Sequence, residues 1–367
     1  MYIHERKDWP EFSWNQSALT GRLAEVRHAQ GRLLGRMEAL GFPLREEATL
    51  QTLTQDVLKT SEIEGEKLDA GQVRSSLARR MGLDIGALPA IDRNVEGIVE
   101  VMLDATRQHD EPLTTERLFG WHAALFPTGR TGMRRIAVGG WRTEKSGPMQ
   151  VVSGPIGHEK VHYEAPEADR LKKEMARFLN WCNTTPTVDP VIQSALAHFW
   201  FVTIHPFEDG NGRIGRALAE KALEQALGQP ALTGLATTIL SRRKEYYNTL
   251  EDANKGNEIS AWLAWFAAVA LEAQKRTNAQ IEFLIAKTKL MDRLRGHINA
   301  RQQKALLRML REGPEGFEGG MSAGNYSTIT GASPATATRD LAALVEAGAL
   351  HRTGELRHAR YFLRLAP

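Results

Sequence analysis

Twelve consecutive residues, His205 to Arg216 (HPFEDGNGRIGR), gather acid, base and cationic side chains around two glycines. Asp209 is followed by Gly210, Asn211 and Gly212. Two glycines around an asparagine let successive backbone N–H groups curl into a concave anion nest. A helix expected over 211–227 begins there, so its positive end and unpaired N–H groups face the same point. Arg213 and Arg216, three apart, share a face of its first turn, where both guanidinium groups reach a polyphosphate. Asp209 is placed to hold a Mg²⁺ that bridges phosphate oxygens. His205 ends the preceding helix, close enough to act as general base beside the phosphate. Together these groups describe a phosphoryl or nucleotidyl transfer site. The plainer alternative is a glycine turn joining two helices, with Asp209 in an Asx turn.

Such a loop needs rigid elements on both sides, and helical patterns dominate the chain. Residues 190–204 are apolar nearly all round, as in a buried central helix. Residues 17–40 place Leu19, Leu23, Val26, Leu33, Leu34, Met37 and Leu40 at helical spacings, and Gly41, Phe42 and Pro43 end that run. Further helices are expected over 47–64, stopping at Gly65, over 90–108, and from Thr114, a candidate N-cap. Others follow over 167–182, 242–254 and 258–290. Residues 126–166 are rich in Gly and Pro, and Met149, Gln150, Val151, Val152 and Ser153 form their one β-like run, read as a hairpin or flap. Residues 301–367 look like a separate unit. Helical stretches 301–311 and 335–347 flank the Gly-rich 313–331, Ser333 caps the second with Pro334 at its first position, and two short strands close the chain. That order is the outline of a winged helix-turn-helix.

Bulk properties bound the reading. A length of 367 residues suggests two or three domains. With 42% hydrophobic and 25% charged residues, the composition is that of an ordinary soluble protein. The net charge is +3, but residues 291–367 hold 11 Lys and Arg against 7 Asp and Glu, a mildly basic tail that hints at an anionic partner. The single cysteine, Cys182, excludes an intramolecular disulfide framework. No signal-like apolar run opens the sequence, and Ile259 to Leu271 is too short for a membrane helix, so a cytoplasmic protein without a membrane partner is expected. His158 to His162 matches the HExxH zinc pattern, but Gly154, Pro155 and Gly157 before it and Pro166 after it leave little room for the helix that zinc binding requires.

The 205–216 stretch resembles the signature of the Fic domain family, His-x-Phe-x-(Asp/Glu)-Gly-Asn-Gly-Arg-x-x-Arg, and matches it at every specified position. The similarity extends over about 110–270. The resemblance implies a mainly α fold: a Fic-type helical bundle with a β-hairpin flap, plus the C-terminal winged helix-turn-helix. The domains would be a helical N-terminal region (1–110), the Fic domain (111–272), a connecting helix (273–300) and the winged helix (301–367). It also implies a protein adenylyltransferase moving AMP from Mg-ATP to a Ser, Thr or Tyr hydroxyl. His205 would deprotonate that hydroxyl, Phe207 fix the loop and Asp209 bind Mg²⁺. Gly210, Asn211 and Gly212 would stabilise the α-phosphate, Arg213 and Arg216 the β- and γ-phosphates. Tyr247 would pack on adenine and Asn254 hydrogen-bond to it, while the flap strand with Met149, Val151 and Val152 would align the target by strand addition.

Upstream, Thr60, Glu64 and Gly65 resemble the family's inhibitory motif, (Ser/Thr)-x-x-x-Glu-(Gly/Asn). A carboxylate beside Arg216 would take the place of the γ-phosphate. The alternative is that Glu62, Glu64 and Glu66 form a solvated acidic face. Within the family, removal of AMP is the rival direction; a nucleotide-sensing transcriptional regulator is the rival class. The expected partners are ATP, a hydroxyl-bearing protein (the chain itself among the candidates), a second copy of the chain, and either DNA or protein at the winged helix.

Overall fold

The computed structural model describes every residue except 84–90, 155–157, 159, 185–187, 314–316 and 366–367, and every side chain of the remainder except those of Ser146 and Arg357. Helices make up most of it. They are α1 (Gln16–Ala39), α2 (Phe42–Ile63), α3 (Ala70–Arg80), α4 (Arg93–Arg107), α5 (Thr115–Leu125), α6 (Leu171–Asn183) and α7 (Pro190–Ile204). Then come α8 (Asn211–Leu227), α9 (Leu235–Ser241), α10 (Arg243–Ala253), α11 (Ser260–Leu294), α12 (Ala300–Leu310), α13 (Ala323–Thr330) and α14 (Pro334–Glu346). Three antiparallel strand pairs join them: β1 (Arg130–Thr131) with β2 (Arg134–Arg135), β3 (Gln150–Ser153) with β4 (Lys160–Glu164), and β5 (Leu350–Thr353) with β6 (Arg360–Leu363). The protein is mainly α, as the sequence pattern implies.

Two compact units divide the chain. Met1–Gly41 and Arg45–Thr277 form the first; Phe42–Leu44 and Asn278–Pro367 form the second.

At the centre of the first unit lies α7, with 13 of its 15 residues buried, which explains why its sequence shows no polar face. Asp189 caps it through the Val191 N–H, and Trp262 on α11 donates its indole N–H to the Ala195 carbonyl 3.0 Å away. The neighbouring α8 packs closely along it, because a Cβ at Gly215 would run into Val202 and His198. Gly97 does the same for α4 and α5: a Cβ there would collide with the Ala124 carbonyl. The N-terminal segment is built into this unit. Trp9 donates to Glu174 on α6 at 2.9 Å, and Trp9 and Phe12 pack edge-on against Trp200.

Thr114 caps α5 as expected, accepting from the Arg117 N–H. Elsewhere the sequence pattern and the structure differ. Gly41, Phe42 and Pro43 both end α1 and begin α2, since proline fits the first turn of a helix. The Gly-rich stretch before Ser333 contains α13, started by a capping box between Ser322 and Asn325. Its sequence, AGNYSTIT, carries no long apolar period to announce it.

Candidate active site

The loop between α7 and α8 is held by its own hydrogen bonds. His205 closes α7 in the left-handed conformation, φ 51°, with its N–H still bonded to the Phe201 carbonyl at 3.0 Å. Asn211 clasps the loop in both directions: its Oδ1 accepts from the Phe207 N–H at 3.0 Å and its Nδ2 donates to the Phe207 carbonyl at 2.9 Å. Phe207 stacks on His122 at 4.1 Å and is fully buried. The Asn211 side chain is therefore a loop brace, and only its backbone faces outward as a donor. Gly210 turns the chain with φ 81°, where an L side chain would be strained. The first intrahelical bond of α8 is from Ile214 N–H to the Gly210 carbonyl, so the amides of Asn211, Gly212 and Arg213 precede it without a partner in the helix.

His205 is half-buried, and its Nδ1 lies 3.0 Å from the Val202 carbonyl. A carbonyl accepts only from an N–H, so Nδ1 carries the proton and Nε2 keeps its lone pair. Burial lowers the imidazole pKa, Arg142 lowers it further, and Glu64 and Asp209 pull the other way without reversing it. The result is a neutral base with a defined tautomer. Asp209 accepts from Thr131 Oγ1 at 2.6 Å and from the Gly210 N–H at 2.6 Å. The β1–β2 hairpin thus aims the carboxylate. Among the described residues no three His, Cys, Asp or Glu side chains cluster as a metal site. A single carboxylate is a donor of the kind Mg²⁺ accepts when phosphates and water supply its other ligands.

A cavity of about 850 Å³ opens beside this loop, lined by Glu64, Val151, His205, Asp209, Tyr247 and Asn254 among others. Tyr247 is partly exposed, with the Arg243 guanidinium 5.7 Å from its ring centre. Asn254 ends α10, its Oδ1 taking the Thr203 hydroxyl at 3.0 Å and its carbonyl the Ile3 N–H at 2.7 Å. The β3–β4 hairpin borders the same cavity. Its bulge falls between Val151 and Val152, Val152 is 47% exposed, and Met149 precedes the strand and accepts from the Ala165 N–H. His162 on β4 joins Ser153 at 2.6 Å to Glu251 on α10. In the HExxH match, His162 is thus on a strand rather than a helix, and Glu159 lies outside the described residues.

Both arginines are already taken by carboxylates from the end of α2. Arg216 donates to Thr60 Oγ1 at 2.7 Å, to the Thr60 carbonyl at 2.9 Å and to Glu64 Oε1 at 2.7 Å. Burial works against the Arg216 charge, but Glu64 together with Tyr246 and Tyr247 raises the pKa above the usual arginine value. Gly212 lets Glu64 approach, because a Cβ there would overlap Oε1. Gly65, φ 87°, turns the chain directly after Glu64. Arg213 meets Glu66 at 2.7 Å, a contact the sequence pattern does not reveal. Thr131 and Arg142 escape it too, because their partners lie far along the chain.

The fold thus sets the start of α8, a histidine with a defined tautomer and Glu64, the partner of Arg216, around one cavity. Residues 112–223 match the Fic/DOC family, and the chain carries a Fic domain. Residues 2–83 match a second family, described as a domain of unknown function (DUF4172). Protein adenylyltransferase fic-1 of Caenorhabditis briggsae is 28% identical over 204 residues, 55% of this chain and 36% of that protein. Protein adenylyltransferase Fic of Drosophila melanogaster is 40% identical over 85 residues, 23% of this chain and 16% of that protein. The matches therefore span well under half the length of these relatives. A Fic family protein from Desulfovibrio desulfuricans G20 shares the fold, with a TM-score of 0.51 at 22% identity over 93% of this chain and 95% of that one.

Proposed function

We propose that this chain is a protein adenylyltransferase, moving AMP from Mg-ATP to a hydroxyl side chain of a protein, and that Glu64 restrains it. The carrying observation is that one cavity is lined by His205, Asp209, Gly210, Asn211 and Gly212, and by Glu64, the carboxylate that Arg216 holds. A target hydroxyl gives its proton to His205 Nε2 while its oxygen attacks the α-phosphorus, and pyrophosphate leaves. The amides of Asn211, Gly212 and Arg213 meet the phosphate oxygens, and the arginines meet those further out. Asp209 would hold the Mg²⁺ that accompanies ATP, whose charge offsets that of the phosphates. Tyr247 packs on the adenine and Asn254 offers Nδ2, its Oδ1 being engaged by Thr203. The open edge of β3, with Val151 and Val152, takes the target segment as an added strand. Most of the rate then comes from positioning and preorganised charge.

Intact-mass spectrometry after incubation of the Glu64→Gly variant with Mg-ATP and candidate targets tests this. A gain of one AMP on target or enzyme is expected; no gain on either, with ATP bound, ends the reading. The engagement of both arginines by carboxylates favours a second direction, removal of AMP, in which Glu64 orients the attacking water. Release of AMP from a modified protein by the wild-type chain, lost on Glu64→Gly, would establish it. For the C-terminal residues, 301–367, we propose a winged helix that docks DNA or protein, linked through 273–300 to a Fic domain at 111–272 and an inhibitory region at 1–110.

A further inference from the structure

Arg142 is 3% exposed, and no carboxylate among the described residues pairs with it. A buried guanidinium without a counter-ion is costly, so something must recover that cost. All of its bonds run to backbone carbonyls at the site. Nε donates to the His205 carbonyl at 2.8 Å, a terminal N–H donates to the Pro166 carbonyl, and the backbone N–H donates to the Pro206 carbonyl at 2.9 Å. Pro166 stands at the base of the flap, one residue beyond Ala165, whose N–H closes the hairpin onto the Met149 carbonyl at 2.8 Å. Tyr163 on β4 is anchored alongside, its hydroxyl donating to the Thr203 carbonyl at 2.8 Å.

We propose that Arg142 is a positioning residue that ties the His205 and Pro206 carbonyls to the base of the flap, so that base and presented hydroxyl keep one geometry. This rests on the reading of His205 as general base and β3 as the presenting strand. Without a bond to its carbonyl, His205 loses one of the contacts that oppose relaxation from φ 51°, a conformation unfavourable for a non-glycine residue. The charge acts as well. Besides burial and the bond to the Val202 carbonyl, the charged groups that bear on the imidazole are Arg142, Glu64 from the end of α2 and Asp209 from the loop. Arg142 is the one cation of the three, so its removal takes away a charge that disfavours the imidazolium, and the His205 pKa should rise whether Glu64 is present or replaced by glycine.

The experiment uses the full chain with Glu64→Gly as background, comparing Arg142→Gln and Arg142→Lys. NMR titration of the His205 imidazole is read beside transfer kinetics. Arg142→Gln is expected to raise the imidazole pKa, move the acid limb of the rate profile to higher pH, and lower kcat by about tenfold or more with KM for ATP within about twofold. Arg142→Lys keeps the charge but cannot reach several carbonyls at once, so it should restore the limb and recover kcat only in part. An unmoved imidazole titration together with kcat within about twofold of the background in Arg142→Gln would overturn the proposal. If Arg142→Gln does not fold, Arg142→Lys decides alone, since full kcat there removes the positioning role. If the background transfers no AMP, the functional reading fails while the imidazole titration still decides whether Arg142 sets the state of His205.

Discussion

Arg213 and Arg216 each hold a carboxylate, but the two pairs differ in weight. Arg216 is 3% exposed and its pair with Glu64 is backed by Thr60, so removing Glu64 frees a buried cation poised for an anion. The Glu66 side chain is 48% exposed against 32% for Glu64 and makes a single bond to the buried Arg213, so water screens that pair more. Glu64→Gly should therefore raise self-modification by about tenfold or more, and Glu66→Ala by a few-fold at most. Arg216→Ala added to Glu64→Gly should abolish the gain. Autoradiography with labelled ATP reads all three, and equal effects of Glu64→Gly and Glu66→Ala would show that the brake is not centred on Arg216. His205→Ala should remove transfer and leave ATP binding by calorimetry nearly unchanged. Because burial and Arg142 lower the His205 pKa, the acid limb in a Glu64→Gly enzyme should lie below pH 6.5, the value of an unshifted histidine. The Fic signature was legible because its residues are contiguous. Thr131, Arg142 and Glu66 were not, since their partners lie 78, 63 and 147 positions away and their roles exist only once the chain has folded.

Among the elements, α2 serves as both scaffold and brake. One turn before Thr60 it buries Asp56, whose carboxylate accepts from the Ala236 N–H at 2.9 Å. On α8, Glu220 and Glu224 are buried likewise, accepting from the amides of Leu235 and Ala231. Burial raises all three pKa values, Asp56 to about 6 and Glu224 to about 8. A carboxyl whose folded pKa is raised stabilises the fold below its unfolded value and loses that contribution as pH rises through the folded one. Stability should thus fall from pH 5 to pH 9, and Glu224→Gln, which keeps an acceptor and cannot ionise, should flatten the fall by on the order of 1 kcal/mol or more. Denaturant melts at both pH values would show it; parallel curves for variant and wild type would refute it. Gly97→Ala should cost ~1–3 kcal/mol or more, because the Ala124 backbone cannot move aside as a side chain can. Melting within a degree of wild type would deny that close contact. Long periodic helices such as α1 and α7 announce themselves in the sequence. Shorter α3, capped by Asp69 and holding two serines and a glycine, and α13, built from Gly, Ser and Thr, do not, because capping and packing create them rather than propensity.

At the scale of the whole molecule the question is what the second unit brings to the first. Its core is organised around Asp340 on α14, which accepts from Tyr326 at 2.9 Å and from Arg301 at 3.0 Å, while Gln302 donates to its backbone carbonyl. Three helices are thereby tied at one residue. Burial pushes the Asp340 pKa up, but the bonds from Arg301, Tyr326 and Asn299 more than offset it, so the group stays ionised at neutral pH. Thr338 and Arg339 on the braced α14 and Arg352 on β5 are exposed. Residues 291–367 carry an excess of four positive charges, but α14 offers one arginine and ends at Glu346, so reading of bases would be sparse. If DNA is the partner, phosphates supply nearly all of the affinity. The full-length protein should then bind duplex with a log–log salt slope that grows by roughly −0.9 per phosphate neutralised. Replacing Arg339 and Arg352 by Ala should flatten that slope by roughly 0.9 for each phosphate no longer neutralised, at any duplex sequence. Fluorescence anisotropy from low to moderate salt measures both. Absence of binding at ~50 mM salt, where even non-specific association is strong, would leave protein docking as the use of this unit.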